Sequence, residues 1–280
     1  HPDVVTASSI VRFLTRPPRK PFLCVAGFYK PHLPWYAPKR FFDRYPLDQL
    51  VMPNIKADDL DDVPEIARLW ALSPADHATL EASQLTRQAV QAYKASISFA
   101  DEQIGRVLRA LWQSPEANNT IVALWSDNGF HLGEKLHWRK FTLWEEATRV
   151  PMIIAGPHGV SYQKLVKAPV SLIDLFPTLF DLAGLPAVPN VEGYSLKPLM
   201  LQQAQQAKTL PLMSWGEGNH SIRSGHWRYT RYRDGTEELY DLKADPQEHS
   251  NLATLPEQQT QLQKQRSALH EALVNSAGRP

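Results

Sequence analysis

An α/β fold is predicted: a mostly parallel sheet with helices on both faces over residues 1–208, then a small antiparallel sheet with a helix over residues 209–280. Three observations carry it. Apolar runs bounded by Pro, Gly or polar residues at 21–27, 120–126 and 151–155 read as strands buried on both faces. Among them, stretches with apolar residues three and four apart mark helices. After about Pro211 the pieces become short, strand-like and separated by Gly and Asp turns, the pattern of antiparallel hairpins.

Taken in order, Val4, Val5, Ile10, Val11 and Leu14 lie at helix-compatible spacing, and Arg16-Pro17-Pro18 stops that helix. The first strand, 21–27, leads into a Pro-broken loop at 30–38. Residues 47–83 are acidic and Pro-interrupted, so an excursion over the surface is expected, with Asp58, Asp59, Asp61 and Asp62 on a solvated face. Leu85, Ala89, Ala92, Tyr93, Ile97, Ile104, Val107, Leu108 and Leu111 form the stripe of a long amphipathic helix. Strand 120–126 ends at the polar Asp127-Asn128-Gly129, and strand 151–155 follows. Leu172, Leu175, Phe176, Leu179, Phe180 and Leu182 mark a helix terminated at Gly184. Strands at 212–215, 221–224, 227–233 and 238–242 and a Gln-rich helix at 255–273 complete the chain.

Thirty Lys plus Arg against 29 Asp plus Glu leave a formal net charge of +1, so there is no general attraction for nucleic acid or an anionic membrane. No apolar run approaches the roughly 20 residues of a membrane span. The single cysteine, Cys24, excludes an internal disulfide and a multi-cysteine zinc site. Inside a predicted buried strand with no base beside it, Cys24 is expected to be a packed small hydrophobe. The chain opens at His1 without Met or a signal-peptide pattern, so translation is expected to begin upstream.

In open α/β sheets, ligands bind beyond the carboxyl ends of strands. Two polar clusters follow predicted strands: Lys30-Pro31-His32, and Asp127 through Glu134 running on to Trp138-Arg139-Lys140. Both are expected to face one cleft. Asp127 and Asn128 offer one charged and one neutral oxygen, suited to a hard divalent cation, Ca2+ or Mg2+. The same residues are also the ordinary makings of a turn. His32 and Lys140, taken singly, also fit a loop histidine and an exposed lysine. His131, Glu134 and His137 have the wrong spacing for a zinc peptidase helix, and Gly133 breaks it. Phe130, His131, Trp138 and the 215–220 stretch are expected to line a pocket, with Lys30 beside them.

Ser126 to Glu134, with Trp138-Arg139-Lys140 and Glu146 to Pro151, resembles the second metal-binding segment of the type I sulfatases of the alkaline-phosphatase superfamily. Gly27-Phe28-Tyr29-Lys30-Pro31-His32-Leu33-Pro34 resembles the corresponding segment of the iduronate-2-sulfatase-like branch. Asp174 to Leu179, Gly184-Leu185-Pro186, Glu192 to Leu196, Glu238 to Leu242 and Asp245 to Leu252 resemble the family's C-terminal sequence. The resemblance implies an alkaline-phosphatase-like core hydrolysing a sulfate ester with one bound Ca2+. Asp127 and Asn128 correspond to calcium ligands, Lys140 to the lysine on the sulfate and leaving oxygen, and His32 to the histidine near that oxygen. It also implies a sulfated small molecule or sugar as substrate and a periplasmic or secreted location. The family's nucleophile is a formylglycine made from the first residue of C-x-P-x-R, by a formylglycine-generating enzyme. Neither that motif nor the family's early Asp-Asp pair occurs here, and Cys24 lacks the Pro and Arg. The chain is therefore expected to be the C-terminal portion of a longer sulfatase, with on the order of 150–200 residues preceding it. A phosphoryl or phosphonyl ester hydrolase of the same superfamily, and a non-catalytic module binding anionic glycans, are the competing readings.

Overall fold

Pro2 starts the first helix, where its missing N–H costs nothing, and the His1 side chain caps it by accepting from the Asp3 N–H at 3.3 Å. The computed structural model describes residues 1–156 and 165–277. Its helices are α1 (Pro2–Thr15), α2 (Lys39–Phe42), α3 (Glu65–Ala71), α4 (Asp76–Ala82), α5 (Thr86–Trp112), α6 (Glu145–Thr148), α7 (Leu175–Leu182), α8 (Lys197–Met200) and α9 (Gln259–Ala277). Its strands are β1 (Val122–Trp125), β2 (His131–Leu132), β3 (Trp138–Arg139), β4 (Met152–Ala155), β5 (Leu212–Ser214), β6 (His220–Ser224), β7 (Trp227–Arg231) and β8 (Glu237–Asp241). The α/β class, the two long N-terminal helices and the C-terminal antiparallel sheet with its helix are as expected.

Two units are distinguished: residues 1–53 with 78–120, and residues 54–77 with 121–280. In the first, α5 is the spine. Its Ala95 and Phe99 close a core with Phe41 of α2, the two phenyl rings meeting edge to face at 5.5 Å. Arg106 of α5 donates to Ser8 of α1 at 2.9 Å. Gln91 of the same helix reaches the Tyr45 carbonyl at 2.7 Å, which fastens the loop after α2.

The second unit has two cores on opposite faces of the sheet β5-β6-β7-β8. On one face Ile222, Tyr229 and Leu239 pack with Leu262 and Leu269 of α9, seven residues apart and so on one side of that helix. On the other, Tyr232 and Tyr240 join Leu60, Ala67, Ala71 and Trp144. That second cluster is why the boundary expected at 208/209 falls inside one unit: the C-terminal sheet shares its core with earlier segments.

Three expectations are corrected. Residues 21–27 form no strand; Leu23 is 84% and Val25 69% exposed, and Cys24 is exposed rather than packed. A β-strand is made by its neighbour's hydrogen bonds, and among the described residues none lies beside this run. The expected parallel pairing gives way to antiparallel pairing, β1 to β4 in the register Val122↔Ala155. The 47–83 stretch is no surface excursion, because Leu60, Ala67 and Ala71 are buried in the core just described.

Candidate active site

β1 ends at Trp125, and the turn that leaves it carries the expected pair. The Ser126 hydroxyl donates to the Asn128 carbonyl at 2.9 Å, and the Asn128 amide nitrogen donates to the Gly129 carbonyl at 2.7 Å. These bonds orient Asn128 Oδ1 outward, where it accepts from Lys140 Nζ at 2.9 Å. Asp127 is exposed, and its carboxylate takes no hydrogen bond or ion pair among the described residues. Gly129 is dictated by a close approach: a Cβ there would lie 2.0 Å from the Glu146 carbonyl oxygen, and the Gly129 N–H donates to the Ala147 carbonyl at 2.8 Å. The turn is thus pressed against residues 146–149.

Lys140 stands at the end of the β2–β3 hairpin, paired His131↔Arg139 and Leu132↔Trp138. Its connecting loop is unusual, with Gly133, Lys135 and Leu136 all at positive φ, as is Arg139 at the end of β3. Such conformations cost of order 1–3 kcal/mol per non-Gly residue and persist where the surroundings over-determine them. Here Lys135, 1% exposed, donates from Nζ to Asp59 Oδ1 at 2.9 Å and to the Glu248 carbonyl, and lies over the rings of Trp144 and Tyr240. Its backbone N–H donates to Asp59 Oδ2 at 3.1 Å. Asp59, expected on a solvated face, is instead 1% exposed, and its oxygens are taken by Lys135 and by His249 at 3.2 Å. Arg139 forms an ion pair with Asp76. The other flank of Lys140 is fastened too: buried Arg228 donates to the Leu143 carbonyl at 3.0 Å and to Glu145, and pairs with Glu248 at 2.9 Å.

Glu145, Glu248, Asp59 and Glu238 share Lys135, Arg228 and the partly buried Arg223 as cations, with Arg149 also acting on Glu145. Their burial shows in the protonation equilibria. Burial pushes the Glu248 carboxyl up to about 7, against the pull of Arg228. Glu238 is also raised by burial, although Trp144, Tyr232 and Tyr240 donate to it at 2.7, 2.8 and 2.8 Å. Burial would raise Glu145 as well, but Arg228 and Arg223 hold it below its usual range. A carboxyl whose folded pKa lies above its unfolded value stabilises the fold at low pH, and that contribution is lost as pH rises through the folded pKa. Glu248→Gln is therefore expected to remove a stability loss between about pH 4.5 and 7, read as the difference between wild-type and variant melting profiles. Parallel profiles across that window would contradict the assignment.

His131 and Trp138, expected to line a pocket, are buried beneath the site. His131 Nδ1 donates to the Glu134 carbonyl at 3.2 Å and Nε2 lies 2.9 Å from the Thr142 hydroxyl. Burial, with His137 and Lys135 nearby, holds the ring neutral by lowering its pKa well below the ordinary value. His137 Nδ1 donates to the Ala71 carbonyl at 2.8 Å, and among the described residues no group of three His, Cys, Asp or Glu could hold a metal. Phe130 is half-buried. Asp127 and Asn128 fit a hard cation in kind, and in number they supply two of the 6–8 oxygens of calcium.

His32 and Lys30 belong to the first unit. There the buried Asp3 carboxylate, which sequence reading missed, accepts the Tyr29 and Lys30 backbone N–H groups at 2.9 and 3.1 Å and pins the loop to α1. Lys30, expected at the substrate, is buried with Nζ on the His32 and Pro34 carbonyls. Burial lowers its pKa. His32 Nδ1 donates to the Leu33 carbonyl at 2.6 Å, which leaves Nε2 for another group.

The fold and this turn define a class: mixed α/β proteins with an oxygen-rich turn after a sheet strand, met by a lysine from a following hairpin. Residues 1–185 match the family described as Sulfatase, and residues 133–276 match N-sulphoglucosamine sulphohydrolase, C-terminal. The chain belongs to the sulfatase family. It is 37% identical over 255 residues to a sulfatase of Formosa agariphila, covering 90% of this chain and 50% of that protein. To the Delta 4,5-hexuronate-2-O-sulfatase of Bacteroides thetaiotaomicron it is 29% identical, covering 98% and 61%. To mouse iduronate 2-sulfatase it is 31% identical, covering 68% and 41%. Among solved structures, a 2-O GAG sulfatase matches with a TM-score of 0.79 at 26% identity, covering 98% of this chain and 63% of that one. The phosphonate monoester hydrolase of Agrobacterium radiobacter matches with 0.83 at 20% identity, covering 96% and 60%, a likeness of fold. The chain spans about half the length of the curated relatives it matches. Among the described residues no helix is long and apolar enough to cross a membrane.

Proposed function

We propose that this chain supplies the cation-binding and leaving-group side of a sulfuric ester hydrolase acting on a sulfated sugar or other sulfated small molecule. The observation that carries the reading is the Lys140 ammonium held 2.9 Å from Asn128 Oδ1, one residue from an Asp127 carboxylate without a partner among the described residues, in a chain of the sulfatase family. As the S–O bond breaks, the bridging oxygen gains negative charge, and Lys140, preorganised by its anchored hairpin, stabilises it without reorganising. Asp127 and Asn128 would hold calcium together with ligands from outside these residues; once bound, the cation would neutralise charge on the sulfate oxygens. His32 is assigned the proton donor's role by family correspondence, with Nε2 its available atom. The nucleophile would be a formylglycine from a C-x-P-x-R segment, which this sequence lacks, installed by a formylglycine-generating enzyme.

Residues 1–280 expressed alone are accordingly expected to show no multiple-turnover hydrolysis of an aryl sulfate, whereas the whole protein turns it over. Sustained turnover by 1–280 above a Lys140→Ala control would place the nucleophile within this sequence. A phosphonate monoester run beside the sulfate decides the competing chemistry: preference for the phosphonate would overturn the sulfatase reading, and glycan binding without turnover by the whole protein would make it a binding module.

A further inference from the structure

A second feature of the same unit is unused by this chemistry: a cavity of about 440 Å3 whose walls include Glu217, Gly218, His220, Arg231, Arg233 and Leu273. We propose that it is a subsite for an anionic group of a sugar, a carboxylate or a sulfate other than the one cleaved, with Arg231 and Arg233 as its cationic wall. The inference rests on the sulfated-sugar reading above and names a substrate feature that the reading leaves open.

Charge comes first. The two guanidinium groups are exposed and, among the described residues, take part in no side-chain hydrogen bond or ion pair, whereas Arg223, Arg228, Arg139 and Arg266 are all paired with carboxylates. Glu217 is the single acid of the lining. His220 is held by the Ser214 hydroxyl at 2.8 Å from Nδ1, and burial, with Arg231 beside it, keeps its pKa below the ordinary value and the ring neutral. The lining side chains alone thus carry a net positive charge of one, Glu237 acting on Arg231 and Asp234 on Arg233 from outside the lining, and a carboxylate and an imidazole edge are left to bond hydroxyl groups. That combination suits an anionic sugar better than an apolar or cationic ligand.

Rigidity comes second. The turn that forms one wall is over-built for a simple hairpin. Buried Asn219 donates to the Trp215 and Glu217 carbonyls at 3.0 and 3.1 Å, and its Oδ1 accepts the Arg233 backbone N–H at 3.0 Å, tying the turn to the end of β7. Gly218 sits at φ +75°, and a Cβ there would come within 3.0 Å of the Arg233 Cβ, so both conformation and space require glycine. Preformed walls lower the ordering cost of binding. The same turn leans on the reacting side: Trp215 stacks on Phe141 at 5.0 Å, and Phe141 is the residue after Lys140.

The test uses the whole protein and three probes followed by ligand-observed NMR titration: glucuronate, glucosamine 6-sulfate and neutral N-acetylglucosamine. At least one anionic probe is expected to bind tenfold or more tightly than the neutral one, with the preference shrinking at high salt. Preference for glucuronate would assign the site to a carboxylate, and preference for the sulfated sugar to a second sulfate. Arg231→Gln/Arg233→Gln, at two exposed positions that leave the core untouched, is expected to abolish the preference, while Lys140→Ala keeps it. Equal binding of all three probes, survival of the preference in the double variant, or its loss in Lys140→Ala would each overturn the proposal. Turnover by the whole protein is read separately, so loss of the sulfatase reading would not be mistaken for loss of this subsite.

Discussion

Lys140→Ala in the whole protein is expected to lower kcat/KM for a sulfate ester by about 10²–10³, the range for removing one preorganised donor aimed at developing charge. The loss should fall on kcat, because the ammonium meets its full counter-charge only as the bridging oxygen departs. Stability should change little: among the described residues the Lys140 side chain makes one hydrogen bond, to Asn128, and lies beside the Phe141 ring. Turnover near that of the wild type would remove Lys140 from the chemistry and return its contact with Asn128 to an ordinary turn interaction.

The largest effect on stability is expected five residues earlier. Lys135→Ala leaves the buried Asp59 carboxylate without its ammonium and the Glu248 carbonyl without a donor. Removing one partner of a buried pair typically costs about 3–5 kcal/mol. Denaturant unfolding followed by tryptophan fluorescence reads it, since Trp144 lies against the Lys135 ammonium. Replacing both partners, Asp59→Leu with Lys135→Met, is expected to recover most of the loss, because the penalty comes from the unpaired charge. A single variant within about 0.5 kcal/mol of the wild type, the range of ordinary surface substitutions, would mean that the pair does not hold the hairpin.

That pair also marks the limit of what the sequence discloses. The stripe from Leu85 to Leu111 gives α5 almost to its ends, since helical periodicity is local and long. The short alternating pieces after Pro211 give all four strands of the C-terminal sheet within one to two residues. The Asp127-Asn128 turn and its meeting with Lys140 were legible from their places beyond predicted strands. Asp59 and Lys135, by contrast, meet across 76 residues, and the acidic run that holds Asp59 reads as solvated. Only the fold reveals that the two residues bury one another. Residues 21–27 failed for the complementary reason: apolar composition announces a strand, but its hydrogen-bond partners are non-local. His131 was misplaced because a histidine in a motif reads as a pocket wall, whereas here Thr142 and the Glu134 carbonyl satisfy both ring nitrogens.

The account turns on Asp127 and Asn128 as cation ligands serving sulfate ester hydrolysis, and one measurement reaches it directly: turnover of an aryl sulfate by the whole protein through a cycle of chelation and calcium return, for the wild type and Asp127→Ala. The account predicts that chelation abolishes wild-type turnover, that calcium restores it, and that Asp127→Ala stays inactive at calcium concentrations saturating for the wild type. Undiminished turnover in chelator, or an Asp127→Ala variant as active as the wild type, would contradict it.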